Sequence, residues 1–367
     1  MKPLVSIVIP AYKVQRYIED CVRSVLAQLQ DHHELIVVDD GSPDNTLALV
    51  NALRENWPGS NFHVLSQANE GIAGARNHCV RAARGEYIAF VDSDDILLAG
   101  SLALLDQTIA THHPDVVCFD FRMWHPSDPG KTRDVVLGYP TNTLIRDQQQ
   151  ILNTFLSDRY MYVWANVIKR EIYGQLPDPV FPPGRVFEDV STLARLLSQC
   201  TSLVHVPHKI IDYRQHPASI TQSVSEKWCM DFAAALPVAR QHLIARGVSE
   251  SVRQHFDVTA AWFYIGVVKN TYQLPAQAGR RARAAIKQSF VDNLFGDCDA
   301  MLAAMQDPAF QTLDRRADLL MLGQVRNALS GNLVFHMKQS ASRKFKMWRH
   351  HRKLKRHMNA QTLPATP

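Results

Sequence analysis

At 367 residues, with 46% hydrophobic and 20% charged positions, the chain has the composition of a folded protein and the length for two structural regions, which excludes a disordered class. Six cysteines without a CxxC pair argue against a structural zinc site and read as reduced core thiols of a cytoplasmic protein. The N-terminus lacks a signal-peptide pattern, and the most apolar run, Thr259–Val268, is far shorter than a bilayer span, so any membrane contact is expected to be peripheral.

The first third alternates short apolar runs with helical periods. Leu4–Ile9, Leu35–Val38, Phe62–Leu65, Tyr87–Val91 and Val116–Phe121 read as buried strands. Tyr17–Gln28, Pro43–Asn56, Ile72–Ala83 and Gly100–Thr111 read as the helices between them. This succession predicts βαβ units and a mostly parallel sheet with helices on both faces. Right-handed crossovers then bring the loops after the strands to one edge. No GxGxxG follows the first strand, which weakens a dinucleotide-binding reading.

The middle of the chain is less regular. Gln148–Leu156 and Asp189–Gln199 read as helices, Pro177–Gly184 as a loop and His205–Tyr213 as a strand. From Ser225 to Leu333 the pattern is helical, including Met230–Arg246 and Val252–Lys269. No internal repeat is visible. The expected organisation is a catalytic domain over 1–223, with halves at 1–121 and 122–223, a helical region over 224–335 and a basic tail over 336–367.

Two acidic clusters end apolar runs. In Asp92-Ser93-Asp94-Asp95, alternate positions send Asp92 and Asp94 to one side of the strand, where two carboxylates can hold a hard divalent cation. The competing role is a cap on the next helix, for which Asp94 or Asp95 suffices. Asp39-Asp40 precede Gly41-Ser42-Pro43, where Ser42 reads as an N-cap and Pro43 as the first helical residue. That explains the turn but not the two acids, one of which can accept from a base N–H and the other from ribose.

Three further constellations carry less on their own. Asn69-Glu70-Gly71 through Ala75-Arg76-Asn77 opens a helix whose N-terminus can approach phosphate, with Arg76 one turn in. Glu188-Asp189 opens another helix, as a cap or as a general base. His205, His208 and His216 surround a strand near Tyr213 and Arg214, and metal ligation by them stays open.

Taken together, Ser6–Tyr12, Val37–Ser42, Asn69–Asn77, Phe90–Asp95, Phe187–Asp189 and Tyr213–Thr221 resemble, in order, the motifs of the family 2 glycosyltransferases of bacterial surface-glycan synthesis. The resemblance runs from Val5 to about Thr221 and implies a GT-A fold followed by the helical C-terminal region. It implies a metal-dependent, inverting hexosyltransferase with a nucleotide-sugar donor, UDP-linked, and a glycan or lipid-linked saccharide acceptor. Pro10, Ala11, Tyr12, Asp39 and Asp40 would meet the uridine, with Asn69, Gly71, Arg76, Asp92, Ser93 and Arg214 completing the donor site. Asp94, with Asp92, would ligate Mn2+ or Mg2+; Asp189 would be the base, with Glu188 its competitor. Trp164 and Asn166 would meet the acceptor, although Asn166 stands where many relatives carry Lys. A core role for Trp164 is the alternative.

The tail holds Lys338, Arg343, Lys344, Lys346, Arg349, Arg352, Lys353, Lys355 and Arg356 without an intervening acid, interleaved with Phe345, Met347 and Trp348. Such a segment suits an anionic membrane surface on the cytoplasmic side, a solvated tail being the plain alternative; no nucleic-acid partner is expected. Two rivals remain: a nucleotidyltransferase using the same carboxylates, and an inactive glycan-binding or assembly protein.

Overall fold

The computed structural model describes residues 2–216, 224–311 and 315–341, with no account of the side chain at 315. The chain divides into two compact units. One comprises Met1–Gln222 and Ala235–His255, the other Ser223–Ala234 and Phe256–Pro367.

The first unit is built on a ten-stranded sheet. Strand β1 (Val5–Ala11) is buried along its whole length, which explains its unbroken apolar run instead of an alternating one. It lies between β2 (His33–Asp39) and β4 (Tyr87–Phe90), parallel to both, and β3 (Phe62–Ser66) extends the parallel set beyond β2. The register pairs Ala11 with Asp39 and Val8 with Phe90, so the carboxyl ends of β1, β2 and β4 emerge side by side. This is the expected common edge.

Beyond β4 the sheet becomes mixed. The order is β3-β2-β1-β4-β9-β6-β10-β5, with β6 (Val116–Trp124), β9 (Asn166–Lys169), β10 (Leu203–Arg214) and β5 (Ile96–Leu97). Strand β9 runs antiparallel to both β4 and β6, whereas β6 and β10 are parallel. The short β7 (Arg133–Val135) and β8 (Leu144–Ile145) pair with β6 and β10.

Helices α1 (Ile18–Leu26), α2 (Thr46–Glu55), α3 (Gly71–Ala82) and α4 (Ser101–His112) connect the early strands and flank the sheet on both sides. The second helix starts later than the sequence suggests. Ser42 does not cap it: its hydroxyl accepts from the Lys13 backbone N–H at 3.0 Å, and Asp44 accepts from Thr46 N–H at 3.1 Å. Helix α5 (Gln148–Asp158), the single turn α6 (Arg170–Tyr173) and α7 (Glu188–Leu197) follow.

The remaining helices are α8 (Glu226–Ala245), α9 (Glu250–Asn270), α10 (Ala276–Asp292), α11 (Cys298–Ala304) and α12 (Arg315–Leu329), followed by helical residues 333–341. Within the second unit Tyr264 stacks on Phe290 at 4.5 Å. Asp257 accepts from the backbone N–H groups of Phe295 and Gly296, at 2.8 and 2.9 Å, pinning the turn before α11. All six cysteines are free, and five are buried. Among the described residues, no helix is long and apolar enough to cross a membrane.

Candidate active site

The two acids at the end of β2 divide their duties. Asp40 is 1% exposed and caps α3: its Oδ1 accepts from the Glu70 N–H at 2.9 Å and Gln67 Nε2 at 2.7 Å, and its Oδ2 from the Gly71 N–H at 2.9 Å. A carboxylate on a helix N-terminus satisfies orphan donors and complements the dipole. That end of α3, read from sequence as a phosphate cradle, is occupied by the protein's own anion, and Asp40 faces the helix where the sequence reading faced it toward uridine. Asp39 is different. Its Oδ2 accepts from the Ser42 N–H at 3.1 Å, while its Oδ1 is buried without a partner. Gly41 makes this split feasible. It sits at φ +68°, and a Cβ there would lie 3.0 Å from Asn69 N and 3.1 Å from Gln67 O.

The end of β4 shows the same division. Asp95, fully buried, accepts from the Arg214 backbone N–H at 2.8 Å. The Arg214 guanidinium donates through Nε to the Asp94 carbonyl at 2.7 Å, lies 4.5 Å from the Trp124 ring centre and 5.1 Å from that of Tyr17, and pairs with Asp20 at 3.6 Å. Its Nη2 is buried without a hydrogen-bond partner. Burial next to Asp94 and Asp92 pushes the Asp95 pKa well up. Asp94 instead turns to His216, whose Nε2 lies 2.7 Å from its Oδ2. The His216 Nδ1 is buried and unpartnered, and its ring packs on Tyr17 at 4.6 Å. Of the segment Tyr213–Thr221, which resembles a family motif, Arg214 and His216 therefore seat on the Asp94-Asp95 turn. Pro217–Thr221 lie outside the described residues.

Arg76 gathers three acids from two separate elements, the end of β4 and α7. Its guanidinium donates to Asp92 Oδ1 at 3.0 Å, to Glu188 Oε1 at 2.6 Å, and to Asp189 Oδ1. It is 3% exposed and lies 5.9 Å from the ring centres of Phe90 and Phe181. Burial alone would lower its pKa; the charges of Asp189, Asp92 and Glu188 outweigh that and raise it. Arg76 is committed to carboxylates, so the phosphate contact read from sequence is not its arrangement here. Phe187, just before the acidic pair, has a left-handed φ of 64°, an uncommon conformation for a bulky residue. It starts α7 so that both Glu188 and Asp189 reach one Arg76 nitrogen.

The two acids of α7 are not equivalent. The Asp189 side chain is 16% exposed, against 7% for Glu188. Burial, with Glu188 and Asp92 nearby, pushes the Asp189 pKa up to about 8 against the pull of Arg76. A backbone N–H from Val163 lies 3.4 Å from its Oδ2. Burial, partly countered by Arg76, also raises the pKa of Asp92.

The other expected site residues fall into two groups. Pro10 and Ala11 are buried at the end of β1, Tyr12 is 47% exposed, and Ser93 is buried inside the acidic turn. Asn69 is exposed and donates to the Asp40 carbonyl at 3.0 Å, and Gly71 opens α3 at φ +77°. Trp164 and Asn166 lie inward. Trp164 is 2% exposed, edge-on to Phe121 at 4.9 Å, so its faces are core surface. Asn166 is buried and donates to the Tyr162 carbonyl at 3.1 Å. Tyr162 is half-buried, stacks on Trp164 at 4.9 Å and adjoins Tyr213 at 5.6 Å. Its tyrosine–tryptophan spacing was the available signal for this aromatic ledge.

His205 is fully buried and bonds Asp120 at 2.8 Å and the Tyr139 carbonyl at 3.1 Å, a structural placement. The trio of His32, His33 and Asp106 stands at the start of β2, the strand end opposite Asp39. His33 Nδ1 accepts from the Gln30 N–H at 3.2 Å, which leaves Nε2 protonated toward Asp106. That tautomer clasps α4 to the strand and does not suit a metal ligand.

Comparison with known proteins bears on the family and the fold. Residues 6–175 match the family described as Glycosyl transferase family 2. Glycosyltransferase GlyG of Streptococcus pneumoniae serotype 4 is 29% identical over 260 residues, covering 69% of this chain and 84% of that protein. The chain carries a family 2 glycosyltransferase domain. This enzyme is also 30% identical over 231 residues to the uncharacterized glycosyltransferase EpsJ of Bacillus subtilis, covering 60% of this chain and 64% of EpsJ. The family match replaces the nucleotidyltransferase and inactive-protein alternatives. The glycosyltransferase shares its fold with S. aureus TarS 1-349, crystallised with UDP-GlcNAc, at a TM-score of 0.64 and 17% identity over 94% of this chain and 92% of that one. The mannosyltransferase PcManGT of Pyrobaculum calidifontis, in complex with GDP-Man and Mn2+, matches at 0.51 and 18% identity over 91% and 88%. The fold is therefore GT-A, as the motifs implied.

Proposed function

We propose that this glycosyltransferase moves a hexosyl group from a UDP-sugar to a hydroxyl of a glycan or lipid-linked saccharide, with inversion, in bacterial surface-polysaccharide synthesis. One observation carries the reading: Arg76 draws Asp92 of the strand-end acidic cluster and Asp189 of α7 to one guanidinium, although they lie 16 and 113 residues away in the chain. Donor-side and acceptor-side carboxylates thereby share a single site.

In this reading Asp39 Oδ1, buried and unpartnered, accepts from the base N–H, while Asp40 builds the site by capping α3. Pro10, Ala11 and Tyr12 border the base, and Asn69, Gly71 and Ser93 form the rest of the donor cleft. Asp189, the more exposed of the two acids on α7, takes the proton of the acceptor hydroxyl, and Glu188 holds Arg76. The acceptor oxygen then attacks the anomeric carbon opposite the diphosphate, whose bond breaks with its electron pair leaving on UDP. Arg214, whose Nη2 is buried beside Asp20, stabilises the charge of the diphosphate. Because Trp164 is buried, the acceptor ring stacks instead on the Tyr162 ledge beside Val163 and Asp189.

A divalent ion would suit the chemistry of the acidic turn after β4. Asp94, Asp92 and His216 would hold it, combining carboxylate oxygens with an imidazole whose Nδ1 lacks a partner. When bound, Mn2+ or Mg2+ neutralises diphosphate charge. The Mn2+ in the PcManGT complex supports this choice. UDP is favoured by the TarS likeness, and the GDP-Man of PcManGT marks the alternative donor. The protein works at the cytoplasmic face of the membrane, on an acceptor displayed there.

Calorimetric titration of UDP and GDP with and without Mn2+ tests the donor side. UDP should bind more tightly than GDP, only weakly without metal, and Asp94→Asn should remove the metal effect. Metal-independent binding, or a preference for GDP, would overturn the corresponding part.

A further inference from the structure

Helical residues 333–341 carry a surface that the described residues leave exposed. Leu333, Val334 and Met337 are 72%, 59% and 64% exposed. Spaced i, i+1 and i+4, they share one helix face. The other face is fixed: Phe335 is buried, and His336 bonds the Tyr272 hydroxyl. The apolar face is therefore held outward by packing behind it.

Charge says what this face meets. After Asp318 the sequence contains no Asp or Glu, but it contains Arg326, Lys338, Arg343, Lys344, Lys346, Arg349, Arg352, Lys353, Lys355 and Arg356. An exposed apolar helix face followed in sequence by cations matches a bilayer interface that offers acyl chains and anionic headgroups together.

We propose that the exposed face of Leu333, Val334 and Met337 docks this enzyme onto an anionic lipid bilayer, whose headgroups match the cations that follow in the sequence. Two copies of this face would bring cations against cations in a self-complementary contact, which disfavours a dimer. Nucleic acid would satisfy the cations but leave Leu333, Val334 and Met337 against a phosphate backbone. The inference deepens the reading of an acceptor displayed at a membrane and does not depend on the donor site.

The test is flotation of the full chain with vesicles of phosphatidylcholine alone and of phosphatidylcholine with phosphatidylglycerol. Binding should require phosphatidylglycerol, weaken with added salt, and fall about tenfold in the triple variant Leu333→Ser/Val334→Ser/Met337→Ser. Replacing Arg343, Lys344, Lys346 and Arg349 by Gln should abolish the preference for phosphatidylglycerol. The apolar substitutions are at exposed positions, and an unchanged circular dichroism spectrum confirms folding. Equal flotation by wild type and triple variant overturns the proposal. So does a dimer, seen by light scattering, that the triple variant abolishes, or tight binding of duplex DNA that it leaves intact. If flotation behaves as expected while UDP fails to bind, the surface inference stands and the donor reading falls.

Discussion

The ends of β2 and β4 solve one problem in two ways. At each, adjacent acids emerge at the sheet edge, and one of each pair is consumed by the protein: Asp40 caps α3, and Asp95 anchors the Arg214 backbone. The other is left facing the site: Asp39 with an unpartnered oxygen, Asp94 with only His216. The difference lies in what surrounds the spare acid. Asp39 is buried, the place given to the base in the proposed reading, whereas Asp94 lies beside Asp92, where like charge invites a cation. Neighbouring carboxylates in sequence can therefore be a structural and a chemical group.

The strongest challenge to this division comes from the acids it gathers elsewhere. Asp189→Asn should lower transfer about 10²–10⁴-fold while leaving UDP affinity nearly unchanged, read by nucleotide release beside calorimetry. Loss of UDP binding in parallel would make Asp189 part of the donor site instead. Removing the cation that joins the acids should be felt in stability. Arg76→Met leaves buried carboxylates unpaired and should cost about 3–5 kcal/mol in a urea titration. An unchanged midpoint would show that the acids do not depend on Arg76.

The comparison at β2 is sharper still. Asp40→Ala should lose about 1–2 kcal/mol of stability through the α3 cap. Asp39→Asn should leave the unfolding midpoint nearly in place and weaken UDP binding about tenfold, a loss of about 1.4 kcal/mol. The reverse pattern would exchange their roles.

The smallest effect is a pH dependence. With its pKa raised to about 8, Asp189 is increasingly ionised as pH rises, so transfer should climb toward that value and the climb should vanish in Asp189→Asn. Stability has the opposite sign. Because the folded pKa exceeds the unfolded value of about 3.9, the contribution of this group is complete below that pH and is lost as pH rises through about 8. Urea midpoints of wild type and Asp189→Asn across that range measure it.

How much of this was legible beforehand depends on range. The parallel strands and the edge they share followed from apolar runs, because β1, β2 and β4 are buried on both faces. Strand β9 was not, since four residues inside a segment read for acceptor contact give no period of their own. Ser42-Pro43 imitated a helix start, yet Thr46 begins α2 because Ser42 is engaged by Lys13 from the β1 loop. The pairing of Arg76 with Glu188 spans 112 residues, and nothing local in either motif announces it. The partition between Asp39 and Asp40 is equally hidden: it depends on where Gly41 turns the chain relative to α3.

The most direct test is nucleotide release from a panel of UDP- and GDP-linked sugars, with Mn2+ and a mixed saccharide acceptor, comparing wild type with Asp189→Asn. Turnover of a UDP-sugar by the wild type, lost in the variant while UDP binding persists, is the predicted result. Turnover of no nucleotide sugar, or equal turnover by the two proteins, would contradict the assignment of this site.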